Sequence, residues 1–298
     1  MAKGALPLRR RAEHLAATLP PLLVAAERVA STVFQGVHGR RRVGQGETFW
    51  QFRHYEQGDT PQLIDWRQSA KSDTVFVREL EWEAAQSVWL WRDHSPSMAW
   101  RSADSLPEKR DRADLLALAL SVLLIRGGER VSLLGTGLRP VSGKGALTRL
   151  ALEISSGSGV DAEGHSVDLP PAQPLPRNAQ VVLIGDLLAP LAQIHAAVRG
   201  YAQQNIKGHL VQVLDPAEAM LPYAGRVRFE GLEGEEPWLL SRVESVREVY
   251  IERLEAQQHG LEAMAKSVGW SYACHRTDRP PQTALLALYV MLSQTLGK

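Results

Sequence analysis

Ser87-Val88-Trp89-Leu90-Trp91-Arg92-Asp93-His94-Ser95-Pro96-Ser97 is the stretch that decides how this chain folds. Its first five residues form a short apolar run of strand length, which reads as a buried central strand. The next residues place one carboxylate and two hydroxyls at the strand's carboxyl end, where open α/β sheets bind ligands. An Asp and two Ser at alternate positions on one tight loop make a hard-oxygen pocket suited to Mg²⁺ or Mn²⁺. So few protein charges cannot saturate a metal and would leave a coordination position open. Asp and Ser are also preferred helix N-caps, and both roles can hold at once.

Outward from this strand the pattern alternates. A helix is expected from about Glu108 to Arg126, closed by Gly127-Gly128, then a strand at Arg130–Gly135 and a short helix at about Ala146–Ile154. A strand at Gln180–Gly185, a helix at Pro190–Gln203 and a strand at Gly208–Leu214 follow. The tail reads as a long amphipathic helix from about Ser241 to Val268, a short strand at Trp270–Cys274 and a last helix from Thr283. Such alternation implies a mostly parallel sheet with helices on both faces. Residues 155–179, rich in Ser, Gly and Pro, read as a long loop. Upstream, residues 7–31 read as helical, with Pro20-Pro21 forcing a break or a fresh start. From Phe34 to Trp66 glycines and aromatics suggest irregular strands and turns, and Thr74–Leu80 alternates as a strand should. The expected division is a helical and β-rich N-terminal segment over residues 1–84 and an α/β domain over 85–298. No internal repeat is evident.

Composition narrows the function. The chain has 298 residues, 44% of them hydrophobic, enough for a substantial core. Lys and Arg number 34 against 33 Asp and Glu, a net charge of +1 that argues against a whole-surface match to nucleic acid or anionic membrane. One cysteine, Cys274, leaves no intrachain disulfide or Cys-based zinc site, and its strand context suggests a buried, inert thiol. The apolar stretch from Leu115 to Ile125 is too short for a bilayer, which needs about 20 residues. Arg9-Arg10-Arg11 is followed by no signal-peptide apolar core, so a cytoplasmic protein is expected.

A second carboxylate ends another apolar strand, in Val181-Val182-Leu183-Ile184-Gly185-Asp186. All strands of a parallel sheet end on one edge, so Asp186 can face Asp93 and support a cation that neither holds alone. Alternatively Asp186 caps its own turn. Upstream, Arg53, Asp59, Asp65 and Arg67 are embedded among Phe52, Tyr55, Ile64 and Trp66. Charges in such company are costly unless paired, which suggests a salt-bridge knot locking an irregular β segment. Arg, Trp and Tyr are also the types enriched at interface hot spots, so a partner-contact surface is the other reading. The His38-Gly39-Arg40-Arg41-Arg42 stretch reads as a solvated loop or an anion patch, and Trp82, Trp89, Trp91 and Trp100 read as core.

The strings Arg53-His54-Tyr55-Glu56-Gln57-Gly58-Asp59, Ile64-Asp65-Trp66-Arg67-Gln68-Ser69-Ala70-Lys71 and Val77-Arg78-Glu79, together with Gly44-Gln45-Gly46-Glu47 and Asp93-His94-Ser95-Pro96-Ser97-Met98, resemble the bacterial domain-of-unknown-function-58 family, whose core is von Willebrand factor A-like. The resemblance is strongest over residues 34–135 and extends more loosely, through Asp186, to the C-terminus. It implies a metal-ion-dependent adhesion site on Asp93, Ser95, Ser97 and Asp186, with a partner's carboxylate filling the open position. It also implies a signature formed by Arg53, Tyr55, Gly58, Asp59, Asp65 and Trp66. The implied function is an adaptor beside a MoxR-type AAA ATPase in chaperone-like assembly, maturation or metal insertion. Where the family has Arg, this chain has Gln62 and Lys71. The adhesion site's middle-loop Thr has no clear counterpart, the candidates being Thr136, Ser155, Ser156 and Ser158. A metal-dependent hydrolase would use Asp93 and Asp186 for the ion and His94 as base. However, His94 falls between ligand positions, and no G-x-S-x-G, H-E-x-x-H or phosphate-binding glycine loop occurs. A structural scaffold with a vestigial site is the remaining possibility.

Overall fold

A computed structural model describes residues 23, 25–33, 49–56, 59, 64–71, 74–80, 86–156, 168–232 and 236–296. The chain divides into two compact units, residues 36–85 and residues 1–35 with 86–298. The boundary departs from the expected 1–84 segment for a clear reason. In the helix at 25–33 (α1), Ala26, Val29, Ala30 and Val33 recur with helical period and are buried in the core of the larger unit. Residues 7–22 of the expected N-terminal helix lie outside the described residues.

In the smaller unit β1 (Phe49–His54) pairs antiparallel with β2 (Phe76–Leu80), and α2 (Trp66–Ser69) lies between them in sequence. Asp65 caps α2, its Oδ1 accepting from Gln68 N at 2.9 Å.

The larger unit runs β3 (Ser87–Arg92), a 3₁₀ turn (Pro96–Met98), α3 (Lys109–Arg126), β4 (Arg130–Leu133), α4 (Lys144–Ser155), β5 (Gln180–Gly185), α5 (Leu191–Ala202), β6 (Lys207–Leu214), α6 (Pro216–Met220), β7 (Val227–Phe229), β8 (Trp238–Leu240), α7 (Glu244–Ser267), β9 (Ser271–Arg276) and α8 (Pro281–Leu296). Five strands form one parallel sheet in the order β4-β3-β5-β6-β9. This is the expected Rossmann-like arrangement, a parallel sheet with helices on both faces. Side chains alternate across it. Val88, Leu90, Val182, Ile184, Val211 and Val213 face one core with α1, α3, α4 and α8. Trp89, Trp91, Val181, Leu183 and Leu210 face the other with α5 and α7. Burial of α3 from Leu116 through Leu124 explains why its sequence is apolar on all sides.

The β7–β8 hairpin and α6 escaped sequence reading. Strands of three residues, half-buried or exposed, carry too little alternation to register. Cys274 also departs from expectation. It is exposed on the edge strand β9, although packing around its sulfur holds the thiol above its usual pKa. Trp89 and Trp91 are core, as expected, whereas Trp100 is half-buried and Trp82 lies outside the described residues. No helix among the described residues is long and apolar enough to cross a membrane.

Candidate functional site

Parallel pairing of β3 with β5 sets Arg92 opposite Ile184, so the next residues, Asp93 and Gly185, stand side by side at the sheet's carboxyl edge. Asp93 N donates to Ile184 O at 2.8 Å, and a Cβ built on Gly185 would stand 2.7 Å from Asp93 Cβ. Glycine is therefore required by close approach. Asp93 Oδ1 accepts from Ser95 N at 2.7 Å, which closes the loop and leads into the 3₁₀ turn. Ser95 Oγ and Ser97 Oγ are hydrogen-bonded at 2.8 Å, and Ser97 Oγ donates to Asp186 Oδ2 at 2.7 Å. The four residues expected to share a site do share one, and Asp93, Ser95 and Asp186 are buried.

A fifth residue, missed in the sequence, completes the cluster. Lys109, the first residue of α3, is 0% exposed. Its Nζ donates to Asp186 Oδ2 at 2.9 Å and to Glu218 Oε1 at 2.6 Å. Burial alone would lower the ammonium's pKa, but Asp186 and Glu218 together raise it above its usual value. Glu218 belongs to a capping box on α6, where Asp215 N donates to Glu218 Oε2 at 2.9 Å and Asp215 Oδ1 accepts from Ala217 N at 2.8 Å. Asp215, fully buried at the end of β6, also accepts from Ser102 N at 3.0 Å. Acids thus end three adjacent strands, β3, β5 and β6. Beneath them Gln212 Nε2 donates to Asp186 O at 2.8 Å, and Tyr272 OH donates to Gln212 Oε1 at 2.7 Å.

Burial, then the nearby Asp186 charge, pushes the Asp93 carboxyl up to about 7. Burial, then Arg92 and Arg110, pulls the His94 imidazole down to about 3. Arg92 is itself buried against Asp114 and donates to Ile154 O at 2.6 Å, tying β3 to α3 and α4.

Thr136 is spent within its own turn, donating to Leu133 O at 3.0 Å and accepting from Leu138 N at 3.3 Å. Ser156 ends α4 and donates to Glu153 O at 2.8 Å. Ser158 lies outside the described residues. The residues present do not fit the divalent ion that the loop alone suggests. Asp186 Oδ2 already accepts from a buried ammonium and from Ser97, Ser95 and Ser97 are hydrogen-bonded to each other, Thr136 and Ser156 donate to backbone carbonyls of their own turns, and Ser155 is the last residue of α4. Among the described residues, no group of three or more His, Cys, Asp and Glu could hold a metal.

In the smaller unit the salt-bridge reading holds at one pair. Arg53 grips Asp59 through both guanidinium nitrogens, at 2.7 and 2.6 Å. That hydrogen bonding, with Glu56 N at 2.8 Å, holds the Asp59 carboxyl at about 2. Tyr55 OH donates to Asp59 O at 3.3 Å. Trp66 is 67% exposed, so it supplies surface, not core. Gly58 lies outside the described residues.

A family model described as "Protein of unknown function DUF58" matches residues 51–260. The chain belongs to this family. That span takes in most of β1, the Asp93 loop, Lys109, Asp186 and Glu218, so the whole cluster lies within it. Uncharacterized proteins of Mycobacterium bovis and Mycobacterium tuberculosis are 25% identical to this DUF58 chain over 275 residues, covering 89% of it and 86% of each relative. Among solved structures, the conserved hypothetical protein BatB from Bacteroides thetaiotaomicron is similar at a TM-score of 0.45 and 16% identity, covering 72% of this chain and 100% of that one. An aerotolerance-related membrane protein from Bacteroides fragilis is similar at a TM-score of 0.44 and 18% identity, covering 70% and 99%.

Proposed function

We propose that this DUF58 chain is a protein-binding module that docks its partner on the loops at the carboxyl edge of the parallel sheet. The observation that carries this reading is how the clustered polar groups are used. Ser95, Ser97, Asp93, Asp186, Lys109 and Glu218 are hydrogen-bonded into the loops they belong to, which fixes loop shape without presenting a nucleophile beside a base. On the segments that follow β5 and β6, the loop residue Leu188 (44%) and Met220 (47%) at the end of α6 are exposed, apolar side chains suited to a protein contact. The partner that the family resemblance implies is a MoxR-type AAA ATPase, and the implied setting is chaperone-like assembly or maturation of other proteins.

The test is binding of the purified chain to the MoxR-type ATPase of the same organism, by calorimetry, with Leu188→Glu and Met220→Glu as blocked faces. Both positions are exposed, so the variants fold. The expected result is binding by the wild type and its loss in the double variant. No binding, or equal binding by the double variant, overturns the reading. A hydrolase would need His94 as base. A turnover lost on His94→Ala would favour that alternative, although a pKa of about 3 makes the imidazole a poor proton acceptor near neutrality. The scaffold alternative shares this geometry and predicts no partner.

A further inference from the structure

A lysine is among the residues least often fully buried, and when buried it is paired. Lys109 meets that condition with two carboxylates from different parts of the chain: Asp186, which follows β5, and Glu218, in α6 after β6. Ser97 delivers the β3 loop to the same Asp186 oxygen that Lys109 holds. Asp93 brings a third carboxylate, itself buried, against Gly185. One ammonium at the start of α3 therefore gathers the loops of three strands. A divalent ion would do the same by accepting oxygens, but it would have to lie close to this fixed positive charge.

We propose that Lys109 is the resident cation of the site, so that the Asp93–Ser95–Ser97–Asp186 cluster is assembled without a divalent metal and offers no open coordination position to an incoming carboxylate. Being covalently attached, this cation is present whatever the metal concentration. It also follows that a partner contacts the loops by shape and apolar side chains, without ligating an ion. The proposal does not depend on the docking reading, and its test involves no partner, so the two fail separately.

The experiment is titration of the full chain with Mn²⁺, followed by the loss of the free aquo-ion signal in electron paramagnetic resonance. Wild type is expected to leave that signal undiminished, and millimolar Mg²⁺ or a chelator is expected to leave its thermal unfolding unchanged. Lys109→Gln removes the ammonium and keeps the acids, and should bind Mn²⁺ at least about tenfold more tightly than wild type. That gain should be lost on adding Asp93→Asn. Lys109→Arg keeps a charge there and should bind none. One Mn²⁺ per wild-type chain, abolished by Asp93→Asn, overturns the proposal, as does a folded Lys109→Gln that gains no affinity. If Lys109→Gln does not fold, the wild-type titration and its Asp93→Asn control decide alone.

Discussion

Gly185 and Asp93 stand so close across the β3–β5 pair that a methyl group on Gly185 would lie 2.7 Å from Asp93 Cβ and 3.0 Å from its Oδ2. Gly185→Ala must push the Asp93 loop aside, and overpacking of this kind costs about 1–3 kcal/mol. Gly200, inside α5 with nothing near its would-be Cβ, is the control. Gly200→Ala should stabilise by about 0.5–1 kcal/mol. Urea unfolding of the two variants should give opposite signs, and equal effects would refute the steric account.

Removing Lys109 leaves Asp186 and Glu218 facing each other without their shared cation. Breaking a buried pair this way costs about 3–5 kcal/mol, so Lys109→Met should be among the most damaging single changes. Adding Glu218→Gln removes one of the stranded charges and should recover part of the loss. A double variant no more stable than the single would show that the charges are not coupled.

The Asp93 carboxyl titrates at about 7 in the folded chain, against 3.8 when free, because burial and then Asp186 disfavour its charge. The folded state therefore binds this proton more tightly than the unfolded state does. Its contribution to stability falls as pH rises from about 4 to about 7 and is constant above that. Half-buried His94 and buried His209 and His275, pulled down to about 3, 4 and 4 mainly by desolvation, push total stability the other way as pH rises toward 6.5. The difference between Asp93→Asn and wild type isolates the aspartate. The Asn variant should gain on wild type across that window by up to about 1.4 kcal/mol per pH unit. A flat difference in denaturant unfolding from pH 4 to 7 would count against it.

In the smaller unit, Arg53→Ala removes the bidentate grip on Asp59 and frees the loop that Asp59 fastens to Glu56 N. Hydrogen exchange at the Glu56 amide should accelerate, whereas Arg53→Lys should restore it only partly, since an ammonium cannot reproduce the planar fork. Trp66→Ala touches an exposed ring and should change stability by no more than about 0.5 kcal/mol.

Much of the site could be read from the chain. Asp93, Ser95, Ser97 and Asp186 stood out because short apolar runs ended on them, and parallel strands end on one edge. Lys109 did not, because it sits in Glu108-Lys109-Arg110-Asp111-Arg112, which resembles a solvated helix start. The signal was present all the same: Lys109, Ala113, Leu116 and Leu120 follow one helical stripe, which carries a cation onto an apolar face. Glu218 was legible as the fourth residue of Asp215-Pro216-Ala217-Glu218, a capping box directly after an apolar strand. Gln212, polar within Leu210-Val211-Gln212-Val213-Leu214, was the sign of something polar to hold beneath the edge.

By itself the sequence determined the alternation of strands and helices, hence a parallel sheet, and the edge on which its acids collect. These depend on local periodicity and on the geometry common to every parallel sheet. Only the tertiary structure decided which cation those acids face. Asp186 and Lys109 are 77 residues apart in the chain, and Lys109 and Glu218 are 109 apart. No local pattern encodes such a meeting. It follows from the β3-β5-β6 strand order, which brings the start of α3 under two loops at once and places an ammonium where the loop sequence alone suggested a metal ion.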